Sequence, residues 1–206
     1  LFVSISTAVV DSGMSKALVQ KAQVTEIDYS TVFIFNLITS VMLYLVLWLL
    51  APFIAKFYHE PQLVKILRVL SIVVIVGAFG ITQSAKLTRA MNFKTPAMIS
   101  ITSVLISGSL AIILAVNNFG VWALVFQQLI SALIITVGLY LSCGVLKTYR
   151  FSVKSFALSF NFGWKILIAG IYGQFFENIY SVFIGKFHSA TTLGYYSRAN
   201  RMAHMS

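Results

Sequence analysis

The chain has 206 residues, 59% of them hydrophobic and only 10% charged, with a mean hydropathy of +0.90. Soluble domains carry about 25% charged residues, so this composition excludes an ordinary water-soluble domain and makes lipid the main solvent. The 15 basic and 5 acidic residues leave a net charge of +10, but the cations punctuate apolar runs without forming one stripe, which argues against a nucleic-acid partner and for topology signals.

Residues 1–10 are an uncharged, half-length run that stops at Asp11, so the first helix looks cut in the middle and the chain is expected to be a fragment. No basic region precedes the run and no small-residue cleavage site follows it, which argues against a signal peptide. Asp11, ahead of Ser12-Gly13 and five residues before Lys16, is expected to cap a helix end or form a local ion pair. Residues 29–55 are 27 without a charge, roughly 40 Å of helix and enough to span a bilayer with tilt. Pro52, near the far end of that run, predicts a kink or a loss of regular hydrogen bonding. The 17 residues of 69–85 are shorter, but Arg68 and Lys86 at their ends can snorkel to the headgroups.

The strongest signal follows. Residues 95–146 are 52 in a row without Asp, Glu, Lys or Arg, interrupted only by the polar turn Asn117-Asn118-Phe119-Gly120. A hydrocarbon core about 30 Å thick needs roughly 20 apolar residues, so 95–116 and 121–146 predict a hairpin of two membrane helices. Thr95-Pro96 fits an N-cap followed by Pro at the first helical position. Residues 156–185 form another apolar stretch, with Lys165 and Glu177 intruding, and predict a helix that faces protein or water on one side. Residues 193–206 start one more helix carrying Arg198 and Arg201. The sum is about seven whole or partial segments in an all-α, polytopic transmembrane bundle.

If the loops alternate sides, those near 16–26, 86–94 and 147–154 hold eight basic residues and the others four. Basic residues mark the cytoplasmic face, which puts the first set there. Trp122 and Trp164 fall near interfaces, as an aromatic belt requires; Trp48 fits a belt and a packed core equally. Ser103 with Ser107 and Ala169 with Gly173 offer small-residue faces for close helix approach.

Charges within the membrane need a partner, water or a function. Lys165 and Glu177 are 12 residues apart on one helix, roughly 18 Å along the axis, and cannot pair with each other. Lys165 either snorkels or meets a ligand; Glu177 is either a structural hydrogen-bonding group or a protonatable, cation-coupling carboxylate. Lys86 with Arg89, and Arg198 with Arg201, repeat an i, i+3 spacing that suits either interfacial anchoring or a bidentate grip on phosphate. Cys143 is the single cysteine, and His59, His188 and His204 lack ligand spacing, so no metal, cofactor or disulfide is expected. No nucleophile triad, phosphate loop or catalytic carboxylate pair appears, and the non-apolar segments are too short for a catalytic domain, so an enzyme is not expected.

Three stretches carry a family likeness: Asp11-Ser12-Gly13-Met14-Ser15-Lys16-Ala17-Leu18-Val19-Gln20; Ala85-Lys86-Leu87-Thr88-Arg89-Ala90-Met91-Asn92-Phe93-Lys94; and Ile184-Gly185-Lys186-Phe187 with Leu193-Gly194-Tyr195-Tyr196-Ser197-Arg198-Ala199. In order and spacing they resemble the polysaccharide-biosynthesis flippases of the multidrug/oligosaccharidyl-lipid/polysaccharide exporter superfamily. The resemblance implies a MATE-like, two-lobe fold, of which residues 1–146 would run from the second half of helix 2 to helix 6. Residues 147–206 would be the inter-lobe loop and the start of the second lobe, helices 7 and 8. It further implies a multi-pass protein of the bacterial cytoplasmic (inner) membrane that moves lipid-linked oligosaccharide, typically on undecaprenyl diphosphate, to the outer leaflet by alternating access. Lys86, Arg89, Lys165 and Arg198 would contact the sugar-pyrophosphate head, and Glu177 would couple to protons or sodium. Many relatives carry an acid at the position of Tyr180, for which Glu177 would substitute. A cation-coupled multidrug antiporter is the alternative within the same architecture, and it would need a more acidic cavity.

Overall fold

The computed structural model describes residues 2–11, 13–21, 23–145 and 148–187, together with residues 194, 196 and 199. Among them the regular structure is entirely α-helical. The first helix, α1 (Phe2–Asp11), breaks at Gly13 and resumes as α2 (Met14–Gln20). Gly13 sits in the left-handed region at φ 66°, a conformation that costs L side chains energy and glycine none.

Helix α3 (Glu26–Tyr58) starts at a capping box in which Thr25 and Asp28 satisfy each other's backbone N–H groups. It runs through Pro52 to Tyr58, so the proline does not end the helix. The next span is made of α4 (Gln62–Leu70) and α5 (Ile72–Arg89), separated at Ser71, whose hydroxyl donates to the Arg68 carbonyl at 2.8 Å. The expected 69–85 segment is thus the core of a longer, broken span, Gln62–Arg89. Arg68 lies over the Trp48 ring at 4.0 Å, a cation–π contact that holds the C-terminal half of α3 to α4 and makes Trp48 a stacking partner instead of a core residue.

The hairpin is α6 (Lys94–Val116) and α7 (Val121–Cys143). Helix α6 begins at Lys94, and the Asn92 side chain accepts from the Thr95 N–H at 3.2 Å. Asn92 therefore does the capping expected of Thr95, and Pro96 falls inside the first turn. Small residues join the pair: Ser103, Ser107 and Ala111 are the buried face of α6, and the Ser103 and Ser131 hydroxyls meet at 2.8 Å. A Cβ at Gly138 would lie 2.8 Å from the Ile99 side chain, so glycine allows that approach without a shift of Ile99. By contrast, Ala169 is exposed and a Cβ at Gly173 would meet nothing within 4 Å; that pair packs no helix among the described residues.

The last helix, α8 (Val153–Phe187), is continuous over 35 residues. The further helix expected from 193 lies outside the described residues apart from positions 194, 196 and 199, and so do Arg198 and Arg201. Four spans, Glu26–Tyr58, Gln62–Arg89, Lys94–Val116 and Val121–Cys143, are long and apolar enough to cross a membrane. Their exposed Met42, Leu49, Phe53, Ile101, Leu105 and Ile112 are what a lipid-facing surface needs, because hydrocarbon imposes no penalty on them.

Candidate functional site

The ends of α2, α3, α5 and α8 that meet near Lys21 carry a knot of bonded charges: Lys21, Glu26, Asp28, Lys86 and Arg89. Asp28, 3% exposed, accepts from Lys21 Nζ at 2.8 Å, from the Thr25 N–H at 2.9 Å and from the Ser155 hydroxyl of α8. The Ser152 N–H, one residue before α8, donates to Thr31 Oγ1 at 3.1 Å, a second tie from the start of α8 to α3. Arg89 Nη1 donates to the carbonyls of Leu18 at 3.0 Å, of Val19 at 3.2 Å and of Lys21. A guanidinium there satisfies carbonyls that the last turn of α2 leaves open and meets the negative end of its dipole. Lys86 Nζ reaches both Glu26 carboxylate oxygens at 3.3 Å and lies 4.7 Å from the Tyr29 ring.

Against this knot stands a cleft of about 660 Å³ between α1–α2, α5 and α7, with Ile166 of α8 at one side. Its size is that of ordinary ligand sites, roughly 300–1,000 Å³. Along α5 the wall changes character, from Gly77, Gly80 and Ile81 to Ser84 and Thr88; those positions span about 16 Å of axis. The polar end is completed by Lys16 and Gln20 of α2, both exposed. Asp11 and Ser15 also line the cleft, and the Ser15 hydroxyl is buried without a hydrogen-bond partner. Asp11 and Lys16 do not form the local ion pair that their spacing allowed; both face the cleft, and neither is in an ion pair among the described residues. On the α7 side, Thr136 is spent on packing, its hydroxyl donating to the Val76 carbonyl at 3.0 Å.

The helix break is fixed by packing as well as by φ. A Cβ on Gly13 would lie 2.6 Å from the Gly163 carbonyl and 2.7 Å from Ile166 Cβ, so α8 presses directly on the junction of α1 and α2.

Of the expected site residues, Lys86 and Arg89 flank the cleft in sequence but are engaged with Glu26 and with the end of α2. Lys165 is exposed on α8, next to the cleft-lining Ile166. Glu177 lies on the same unbroken helix, 12 residues further, so the two are about 18 Å apart along the axis; the Glu177 side chain and all of Arg198 lie outside the described set. Sequence reasoning passed over Asp28, although Thr25-x-x-Asp28 is a capping-box pattern. It also passed over Gln20, Ser84 and Thr88, although Lys16/Gln20 and Ser84/Thr88 each repeat at i, i+4.

A family model described as polysaccharide biosynthesis protein matches residues 1–206, the whole chain. The chain belongs to this polysaccharide biosynthesis protein family. It is 30% identical over 202 residues to the teichuronic acid biosynthesis protein TuaB of Bacillus subtilis (strain 168), covering 93% of this chain and 40% of that protein. It is 28% identical over 192 residues to the succinoglycan biosynthesis transport protein ExoT of Rhizobium meliloti (strain 1021), covering 93% of this chain and 39% of ExoT. With the lipopolysaccharide biosynthesis protein WzxC of Escherichia coli (strain K12) it shares 21% over 209 residues, 98% of this chain and 42% of WzxC. The chain therefore spans about two fifths of the length of these relatives. No solved structure matches. Membership of the polysaccharide biosynthesis protein family, with four apolar helical spans, makes this a multi-pass protein of the cytoplasmic membrane.

Proposed function

We propose that the full-length protein is a flippase that carries lipid-linked oligosaccharide from the cytoplasmic to the outer leaflet by alternating access, without chemistry on the substrate. The observation that carries this reading is the graded cleft. Its Lys16–Gln20–Thr88 end suits an anionic, hydrogen-bonding pyrophosphate-sugar head, and deeper in, where Asp11 also lines it, Gly77, Ile81 and Ile135 give it an apolar wall. The basic end of the bundle, with Lys16, Lys21, Lys86 and Arg89, faces the cytoplasm in this reading, as positive-inside topology requires, and the head enters there. In this reading Lys16, which lines the cleft, makes that contact. Lys86 and Arg89 act one step back, holding the walls through Glu26 and the end of α2. Lys165, Glu177 and Arg198 stay in the proposal by family resemblance: Lys165 and Arg198 as head-group contacts from α8 and beyond, Glu177 as a coupling acid.

The test is complementation of a strain whose own glycan flippase is deleted, using the full-length protein and scoring both surface polysaccharide and the lipid-linked precursor pool. Restored surface glycan with a drained precursor pool is expected. Membrane-inserted protein that restores none of a panel of glycans overturns the reading in favour of a drug/cation antiporter.

A further inference from the structure

We propose that the break between α1 and α2 is a binding site for a monovalent cation, sodium or a proton, with the Asp11 carboxylate as its charged ligand and the Ser15 hydroxyl as a second oxygen. The proposal deepens the transport reading by naming where a driving ion sits, and it rests on that reading only for its purpose. The geometry stands independently of any glycan.

Three observations converge. The helix is discontinuous: α1 ends at Asp11, Gly13 is left-handed and α2 begins at Met14. The C-terminal end of a helix carries partial negative charge and carbonyl oxygens without intrahelical donors, and broken membrane helices use such ends to coordinate cations. Next, Asp11 stands deep in the span. Val10 packs with Val74 and Ala78, which precede Arg89 at the end of α5 by 15 and 11 residues. That is about 16–22 Å of helix, near the middle of a hydrocarbon core about 30 Å thick. An ionised carboxylate at that depth needs a counter-charge, and Asp11 is in no ion pair among the described residues. Finally, Ser15 is only 9% exposed, lines the same cleft and leaves its hydroxyl without a partner.

The other charged side chain on the cleft wall is Lys16 of α2; α5, α7 and α8 contribute Ser84, Thr88, Thr136 and apolar groups. Asp11 is therefore the one acid on the wall among the described residues, and a hard cation prefers such carboxylate and hydroxyl oxygens. An anionic head held by Lys16 draws a cation to Asp11, and by linkage a cation on Asp11 strengthens the hold on the head by the same factor.

The decisive experiment follows thermal unfolding of the full-length protein in detergent as sodium chloride replaces N-methylglucamine chloride at constant ionic strength, at an acidic and at an alkaline pH. A ligand that binds only the folded state raises the midpoint in proportion to its affinity. Wild type is compared with Asp11→Asn, which keeps size and removes charge, with Asp11→Ser as a second variant should the first fail to insert, and with Ser15→Ala. A sodium site gives wild-type midpoints that rise with sodium, a dependence that either Asp11 variant weakens by roughly tenfold or more in apparent Kd and Ser15→Ala weakens less. A proton site gives no sodium effect, and a wild-type stabilisation on acidification that the Asp11 variants lack. Equal responses of wild type and the Asp11 variants, or no wild-type response to either ion, overturn the proposal. Cation binding alongside failed glycan complementation would retain the site and reject the glycan.

Discussion

Two groups of polar side chains lie within a few helical turns of each other and have opposite fates. At the basic end, Asp28, Arg89 and Lys86 are bonded to several partners each, across α2, α3, α5 and α8. In the cleft, Asp11 and Lys16 share a wall in no ion pair among the described residues, and the Ser15 hydroxyl has no partner. A polar group that is fully satisfied by its own chain has stability as its business. One held open in a cavity of a membrane protein is exposed to a cost that folding alone does not repay. The difference separates the part of this molecule that holds helices together from the part that meets something else.

If the division is right, the bonded set fails first when its members are removed. Asp28→Ala leaves Lys21 without its partner, undoes the capping box and releases Ser155, so it should destabilise the full-length protein by about 3 kcal/mol, read as a lowered unfolding midpoint in detergent. Gly13→Ala adds a Cβ 2.6 Å from the Gly163 carbonyl at a left-handed φ and should cost about 2 kcal/mol or more; a cross-link from α2 to α8 that forms in wild type should weaken. Arg89→Ala removes the donor to the end of α2 and should cost about 2 kcal/mol, with Arg89→Lys recovering only part of it because the guanidinium fork is lost. Wild-type midpoints for Asp28→Ala and Arg89→Ala would dissolve the division.

How much of this was legible beforehand follows the same line. The spans were written in charge-free runs, because lipid admits little else: 29–55 and 95–116 reappear within α3 and α6, and α7 begins with the expected 121–146 run but ends at Cys143. Breaks were harder. The halves of the Gln62–Arg89 span and the Gly13 junction depend on a serine turning back on its own helix and on a neighbour pressing from α8, and neither leaves a mark in local hydropathy. Which cation serves the fold was not legible either. Lys86 and Arg89 look like a ligand pair by spacing, yet their partners Glu26 and the end of α2 are sixty or more residues away in sequence. Asp28 was hidden for a simpler reason: it stands just before an apolar run and resembles a boundary marker, whereas the chain buries it to fasten α8.

The open set makes the smaller and sharper predictions, since its loss should leave stability within about 0.5 kcal/mol of wild type and still change transport. Gly77→Leu comes first. Gly77 lines the cleft and a Cβ there meets nothing within 4 Å, so a larger side chain starts into open space, and replacing glycine inside a helix favours the helix by several tenths of a kcal/mol or more. The protein should insert normally and lose surface-glycan export in the complementation strain, because the space has been filled. Lys16→Gln should then reduce export with the unfolding midpoint unmoved. Lys86→Ala, whose Glu26 partner is 43% exposed at the side chain, sits between the two classes: a half-solvated pair is worth about 0.5 kcal/mol, and export should fall little if Lys86 only braces α5. Export lost as deeply in Lys86→Ala as in Lys16→Gln, at an unchanged midpoint, would place Lys86 on the substrate and move the boundary between the two groups by one residue.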